Sequence, residues 1–82
     1  RGEFFMVHRP SRLVDIMYYS RQYRLEPKTV RFVCPKSGQA ANIVLIHCIK
    51  NAGRELRLLP DLYVYNGDGS YTDEIQQIYE RA

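Results

Sequence analysis

The sequence predicts an α/β fold: a three-stranded mixed sheet in the order β-α-β-β, then an extended arm and a closing helix. Three observations lead there. Glu3 to His8 carries bulky residues on both faces, Phe4 and Met6 against Phe5 and Val7, which suits a strand covered on two sides. The segment after it changes to helical spacing. Ala41 to Lys50 alternates Ile43, Leu45, His47 and Ile49 with Val44, Ile46 and Cys48, so its apolar residues on both faces mark a central strand.

The remaining elements follow in order. Pro10 tolerates a first helical turn and Ser11 can cap its exposed N–H groups. Leu13, Ile16, Met17 and Ser20 then recur at helical spacing toward the sheet, while Asp15, Tyr19, Arg21 and Gln22 face away. Leu25-Glu26-Pro27 is expected to end the helix, because the residue before proline avoids the α region. A second strand runs from Thr29 to Cys34, with Val30, Phe32 and Cys34 on one face and Arg31 and Val33 on the other. The short turn at Pro35-Lys36-Ser37-Gly38 makes the second and third strands antiparallel, and the helix between the first and second makes those two parallel. Asn51-Ala52-Gly53 breaks the chain. Leu56 to Leu59 and Leu62 to Tyr65 form an extended arm around Pro60, closed by the turn Asn66-Gly67-Asp68-Gly69. The final helix starts near Ser70 or Thr72, with Asp73 and Glu74 where carboxylates suit the helix dipole and Ile75, Ile78 and Tyr79 as its apolar stripe.

Composition narrows the function. With 82 residues the chain makes at most one small domain with a thin stability margin. No apolar run approaches the roughly 20 residues that cross a bilayer, so no membrane partner is expected. The first residues are too short and too soon broken by His8 and Arg9 for a signal peptide. A start at Arg1 rather than Met suggests a cleavage or cloning boundary. Cys34 and Cys48 lie among apolar neighbours without CxxC or metal-ligand spacing, so they read as small core residues. Reduced thiols and no targeting segment favour the cytoplasm.

Charge is uneven. Residues 1–36 hold eight Lys/Arg and three Asp/Glu (8 − 3 = +5), whereas residues 37–82 hold four and six (4 − 6 = −2). The basic half is a candidate footprint for a polyanion, although ordinary charge scatter on a solvated surface gives the same counts. Basic residues interleave there with tyrosines: Arg12, Tyr18, Tyr19, Arg21, Tyr23, Arg24, Lys28 and Arg31. Arg and Lys can hold phosphates and an exposed Tyr can stack on an unpaired base, or the tyrosines pack on the sheet with wet hydroxyls. His8 and Arg9 end the first strand, where ligands of open α/β sheets gather; the plainer reading is that His8 only caps the strand and Arg9 pairs with a local carboxylate. His47 reads as a hydrogen-bonded core histidine.

Chemistry-bearing motifs are missing: no G-x-G-x-x-G, P-loop, HExxH, EF-hand or serine elbow is present. The residues expected to bind substrate are His8, Arg9, Arg12, Arg21, Arg24 and Lys28; none is expected to be catalytic, to ligate a metal or to bind a cofactor.

An ordered series of short words resembles the region that follows the catalytic half of bacterial tRNA adenine-N6 methyltransferases and their small-methyltransferase relatives. It comprises Phe5-Met6-Val7-His8-Arg9-Pro10, Arg12-Leu13-Val14, Leu25-Glu26-Pro27-Lys28, Arg31-Phe32-Val33, Asn42 to Ile46 with Lys50, Leu59-Pro60, Leu62 to Tyr65, Tyr71-Thr72, Glu74-Ile75 and Ile78-Tyr79. The resemblance implies the last third of a seven-stranded class I methyltransferase sheet, with Glu3–His8, Thr29–Cys34 and Ala41–Lys50 similar to strands five, six and seven. It implies S-adenosylmethionine as the parent's cofactor, tRNA as its substrate and an upstream methyltransferase half as partner of this chain. The family's glycine-rich loop and Asn-Pro-Pro-Tyr motif lie upstream, so no catalytic residue transfers to these positions. Asp61 stands where the family often has a second proline. It also implies that the third strand lies between the other two, which leaves the Glu3–His8 edge and one sheet face bare and predicts a homo-oligomer, most simply a two-fold dimer. The alternative is a freestanding small nucleic-acid-binding or interaction module.

Overall fold

The computed structural model describes residues 2–81. Strand β1 (Glu3–His8) leads into a 3-10 turn over Pro10–Arg12 and then helix α1 (Leu13–Gln22). Pro10 sits where its missing N–H costs nothing. The Ser11 cap expected from the sequence does not form: no side chain caps this entry, and the turn closes by Arg12 N–H donating to the Arg9 carbonyl at 3.0 Å.

Helix α1 ends earlier than its proline implied. Arg24 takes a left-handed conformation (φ 62°) just past Tyr23, the position that terminates many helices. Leu25-Glu26-Pro27 therefore opens strand β2 (Leu25–Cys34) instead of closing the helix. Pro27 is accommodated because the β2 register shifts between Pro27 and Thr29, a bulge that relieves the ladder of a missing donor.

Strand β3 (Ile43–Lys50) pairs antiparallel with both β1 and β2, giving the order β1-β3-β2. β1 and β2 thus run the same way with β3 between them. The arm, read from the sequence as a separate extension, joins the sheet. Its strands β4 (Arg57–Leu58) and β5 (Leu62–Tyr63) both pair parallel with β2. Leu59 N–H donates to the Val30 carbonyl (2.9 Å) and Val64 N–H to that of Cys34 (3.0 Å). Arg31 clamps this arrangement: its Nε–H donates to the Pro60 carbonyl at 2.9 Å and its guanidinium pairs with Glu74 at 2.5 Å. Asp61 accepts the Cys34 thiol at 3.9 Å, which ties it to β2.

Helix α2 (Asp73–Arg81) starts behind Thr72, whose hydroxyl oxygen accepts the Ile75 N–H (3.4 Å) and donates to the Tyr63 carbonyl (2.6 Å). The expected apolar stripe of α2 is not buried: Ile75 is half-buried, while Ile78 and Tyr79 are exposed. The helix is anchored at the end of the arm, where it contacts β5 and Tyr79 meets Tyr71.

The main core sits on one face. Val30, Val44, Ile46 and Cys48 are buried, and Met6, Leu13, Ile16, Met17, Leu25 and Phe32 pack on them beneath α1. Burying such side chains stabilises by about 1.5–3 kcal/mol each, which sets α1 on this face. The arm covers the other face at its β2 end, where Val33 pairs with Leu62 and both are buried, and leaves its β1 end bare around Phe5 and Val7. Phe5 is 76% and Val7 66% exposed. β1 is therefore not the doubly covered strand its composition implied. Its bulky residues on both faces serve one covered and one bare surface.

Candidate functional site

The six residues singled out for substrate binding divide into two groups at opposite ends of the sheet. His8, Arg9 and Arg12 lie where β1 runs into α1; Arg21, Arg24 and Lys28 lie where α1 turns into β2. The helix between them is 10 residues, about 15 Å long. From the first end, His8, Arg12, Asp15, Tyr19 and Tyr23 line a shallow groove that runs along α1 beside β1. Arg12 approaches Asp15 only at 3.9 Å, with both side chains exposed, and such pairs contribute little.

The second end is denser in charge. Arg21 binds Glu26 through both Nε (3.1 Å) and its terminal nitrogen (2.5 Å), a two-pronged contact with a buried acid. That hydrogen bond, more than the charge of Arg21, holds the Glu26 carboxyl below its ordinary value against the opposing effect of burial; Arg54 and Lys28 add smaller pulls in the same direction. Lys28 Nζ donates to the Gly53 carbonyl (2.8 Å), and Asn51 N–H donates to the Arg24 carbonyl (2.8 Å), which stitches the α1–β2 turn to the chain leaving β3. Arg54, which the sequence reading passed over, closes the cleft with Arg21, Arg24, Glu26 and the Asn51–Gly53 turn. Nothing local distinguishes Arg54; only the meeting of two distant turns brings it here.

Other expectations shift in detail. Arg31 is spent on the arm and does not join the basic end. Tyr18, Tyr19 and Tyr23 are 57–73% exposed, so they do not pack on the sheet. His47 is not a core histidine: it stands on the bare face, hydrogen-bonded to Glu3 at 2.8 Å and stacked on Phe5 at 4.5 Å between ring centroids. The sequence error came from the apolar residues flanking it on both faces, which cannot tell which face is covered. Cys34 and Cys48 are buried, and burial pushes both thiols up, away from the reactive thiolate. No helix of the described residues is long and apolar enough to cross a membrane.

No protein-family profile matches the chain, and no curated protein matches it by sequence. Comparison with solved structures does find a likeness. A crystal structure of a predicted O-methyltransferase from Agrobacterium tumefaciens superposes with a TM-score of 0.86 at 18% identity, over 96% of this chain and 38% of that one. The fold is a partial methyltransferase fold. Its mixed sheet and C-terminal helix agree with the architecture read from the sequence, and the chain spans well under half of the protein it matches.

Proposed function

We propose that this chain is the C-terminal portion of an S-adenosylmethionine-dependent methyltransferase that acts on the N6 of an adenine in tRNA. Its own part is to complete the catalytic sheet and to contact the RNA. The observation that carries this reading is the half-covered sheet: α1 closes one face, while Phe5 and Val7 leave the opposite face and the β1 edge open. Phe5 and Val7, 76% and 66% exposed, make an apolar sheet face of the kind that a further layer covers. The upstream methyltransferase half is the layer and the neighbouring strand that fit here. The tRNA and the N6 position come from the ordered words of the sequence, and the exposed basic and tyrosine side chains support them.

The residues present do not make a cradle for S-adenosylmethionine. Gly38 and Gly69 serve surface turns at left-handed φ of 84° and 91°, and Gly67 lies in the same turn as Gly69. The sheet-face groove beside Phe5, Leu45 and Leu59 is apolar, with no free carboxylate for a ribose. The cofactor belongs to the upstream half, and no chemical step is assigned to this chain. Calorimetric titration of the 82-residue chain with S-adenosylmethionine should show no saturable one-to-one binding; a saturable isotherm would overturn the assignment. The full-length parent, given unmodified tRNA and labelled cofactor, should yield N6-methyladenosine by nucleoside mass spectrometry. Methylation of an oxygen on a small molecule instead would refute the N6 assignment.

The basic cleft favours a second reading, a freestanding nucleic-acid-binding module. The reading frame upstream of Arg1 decides between them: a glycine-rich loop and an Asn-Pro-Pro-Tyr motif belong to the methyltransferase alone.

A further inference from the structure

We propose that the cleft lined by Arg21, Arg24 and Arg54 is a docking site for the phosphate backbone of RNA, with Tyr23, in the groove beside β1, as a stacking surface for an unpaired base. This deepens the tRNA reading above and rests on it only for which RNA is bound. The cleft, about 280 Å³, lies between the α1–β2 turn and the Asn51–Arg54 turn. Arg21, Arg24 and Arg54 line it with one carboxylate, Glu26, whose charge is taken up by the two-pronged contact with Arg21, and Lys28 reaches its rim through the Gly53 carbonyl. The surplus positive charge of Arg24, Lys28 and Arg54 has no acidic partner among the described residues. Glu55 lines the adjoining groove together with Lys28, Leu56 and Arg57.

Arg24 is the informative residue. It occupies a left-handed position just after a helix, where glycine is favoured because it has no Cβ to strain. Glycine would suit the backbone better, so what the position supplies is the guanidinium. Bonds on both sides fix it: Arg24 N–H to the Arg21 carbonyl (3.0 Å) and Asn51 N–H to its own carbonyl. Asn51 is left-handed too (φ 59°), and the two turns therefore hold their cations in a fixed relation. A guanidinium on a rigid turn suits a phosphate oxygen pair. Tyr23, next in the chain and 73% exposed, lines the groove beside β1 with His8 and Arg12. Aromatic faces interleaved with cations are what unpaired RNA bases and their phosphates require.

The test is fluorescence anisotropy of a labelled tRNA transcript with the 82-residue chain across a salt series. The variant pairs Arg24→Asn, which tolerates the left-handed backbone, with Arg54→Gln; circular dichroism checks folding, and Lys36→Gln at the far end of the sheet is the control. Losing two phosphate contacts should flatten the slope of log affinity against log salt by about 1.8, which corresponds to roughly sixtyfold weaker binding at 0.1 M salt and little change near 1 M. Tyr23→Ala should weaken binding at every salt concentration without changing the slope. An unchanged slope in the folded double variant overturns the site, as does an equal effect from Lys36→Gln. Binding of anionic phospholipid vesicles that competes with RNA at the same residues would assign the cleft to a membrane surface and overturn the proposal. If the parent transfers no methyl group yet the slope falls as stated, the methyltransferase reading fails and the RNA cleft stands.

Discussion

Replacing Phe5 by lysine should break self-association of the 82-residue chain while leaving it folded. Gly2 accepts the Lys50 N–H at 2.7 Å, so Gly2 and Lys50 form a hydrogen-bonded pair of the β1–β3 ladder. Such pairs alternate. Phe4, Met6 and His8 therefore bond inward to β3, and Glu3, Phe5 and Val7 direct their N–H and C=O groups to the open edge. A second copy pairing there about a two-fold axis sets Phe5 against its own equivalent and Glu3 against Val7, for about six main-chain hydrogen bonds. If bare faces pack instead, Phe5 is again at the contact. Full burial of a phenylalanine is worth about 1.5–3 kcal/mol. With 76% of Phe5 exposed in the single chain, about 1–2 kcal/mol per copy is recoverable, and symmetry doubles it to about 2–4 kcal/mol. Phe5→Lys should raise the dimer dissociation constant roughly 30- to 700-fold, and two lysines facing each other add to the loss. Folding should suffer by only about 1 kcal/mol, the aromatic contact with His47. Sedimentation equilibrium measures the constant. Val14, 80% exposed on the outer side of α1, is the control, since Val14→Lys should change nothing. A wild-type chain that stays monomeric at micromolar concentration, or an unchanged constant in Phe5→Lys, refutes the argument. If the chain is the C-terminal portion proposed above, an upstream strand takes this edge in the whole protein, and the dimer should disappear there.

Two further outcomes follow from the core and the basic end. Ile46, 2% exposed on the central strand, packs among Val30, Val44 and Cys48; Ile46→Ala should cost about 2–5 kcal/mol, enough to leave a chain of this size largely unfolded, as urea titration would show. Glu26 has a folded-state pKa below its unfolded value, so the stability it lends is complete above the ordinary glutamate pKa and is lost as pH falls through the depressed one. Thermal melts from neutral pH downward should therefore show a steeper acid decline in wild type than in Glu26→Gln, and identical profiles would count against the Arg21–Glu26 contact as an acid-sensitive tie.

What local sequence determined was element type. The alternation of Ile43 to Lys50, the helical spacing of Leu13, Ile16, Met17 and Ser20, and the turn at Asn66 to Gly69 each follow from interactions a few residues apart, and all three appear in the fold. The antiparallel pairing of β2 and β3 was legible for the same reason, because a short turn leaves no other geometry. Which face is covered was not legible. His47 and Phe5 look like core residues by composition, and only the docking of α1 on the Ile46 side put them on the bare surface. The helix end was misread because the Pro27 rule is a local preference, whereas Arg24 turns left-handed and gains the Asn51 bond from 27 residues away. The candidate basic residues were visible one by one along the chain. Their division between two ends of the sheet, the pairing of Arg21 with Glu26, the use of Arg31 as the clamp of the arm and the arrival of Arg54 at the cleft belong to the tertiary structure alone, since charge acts through space and spacing along a chain does not report it.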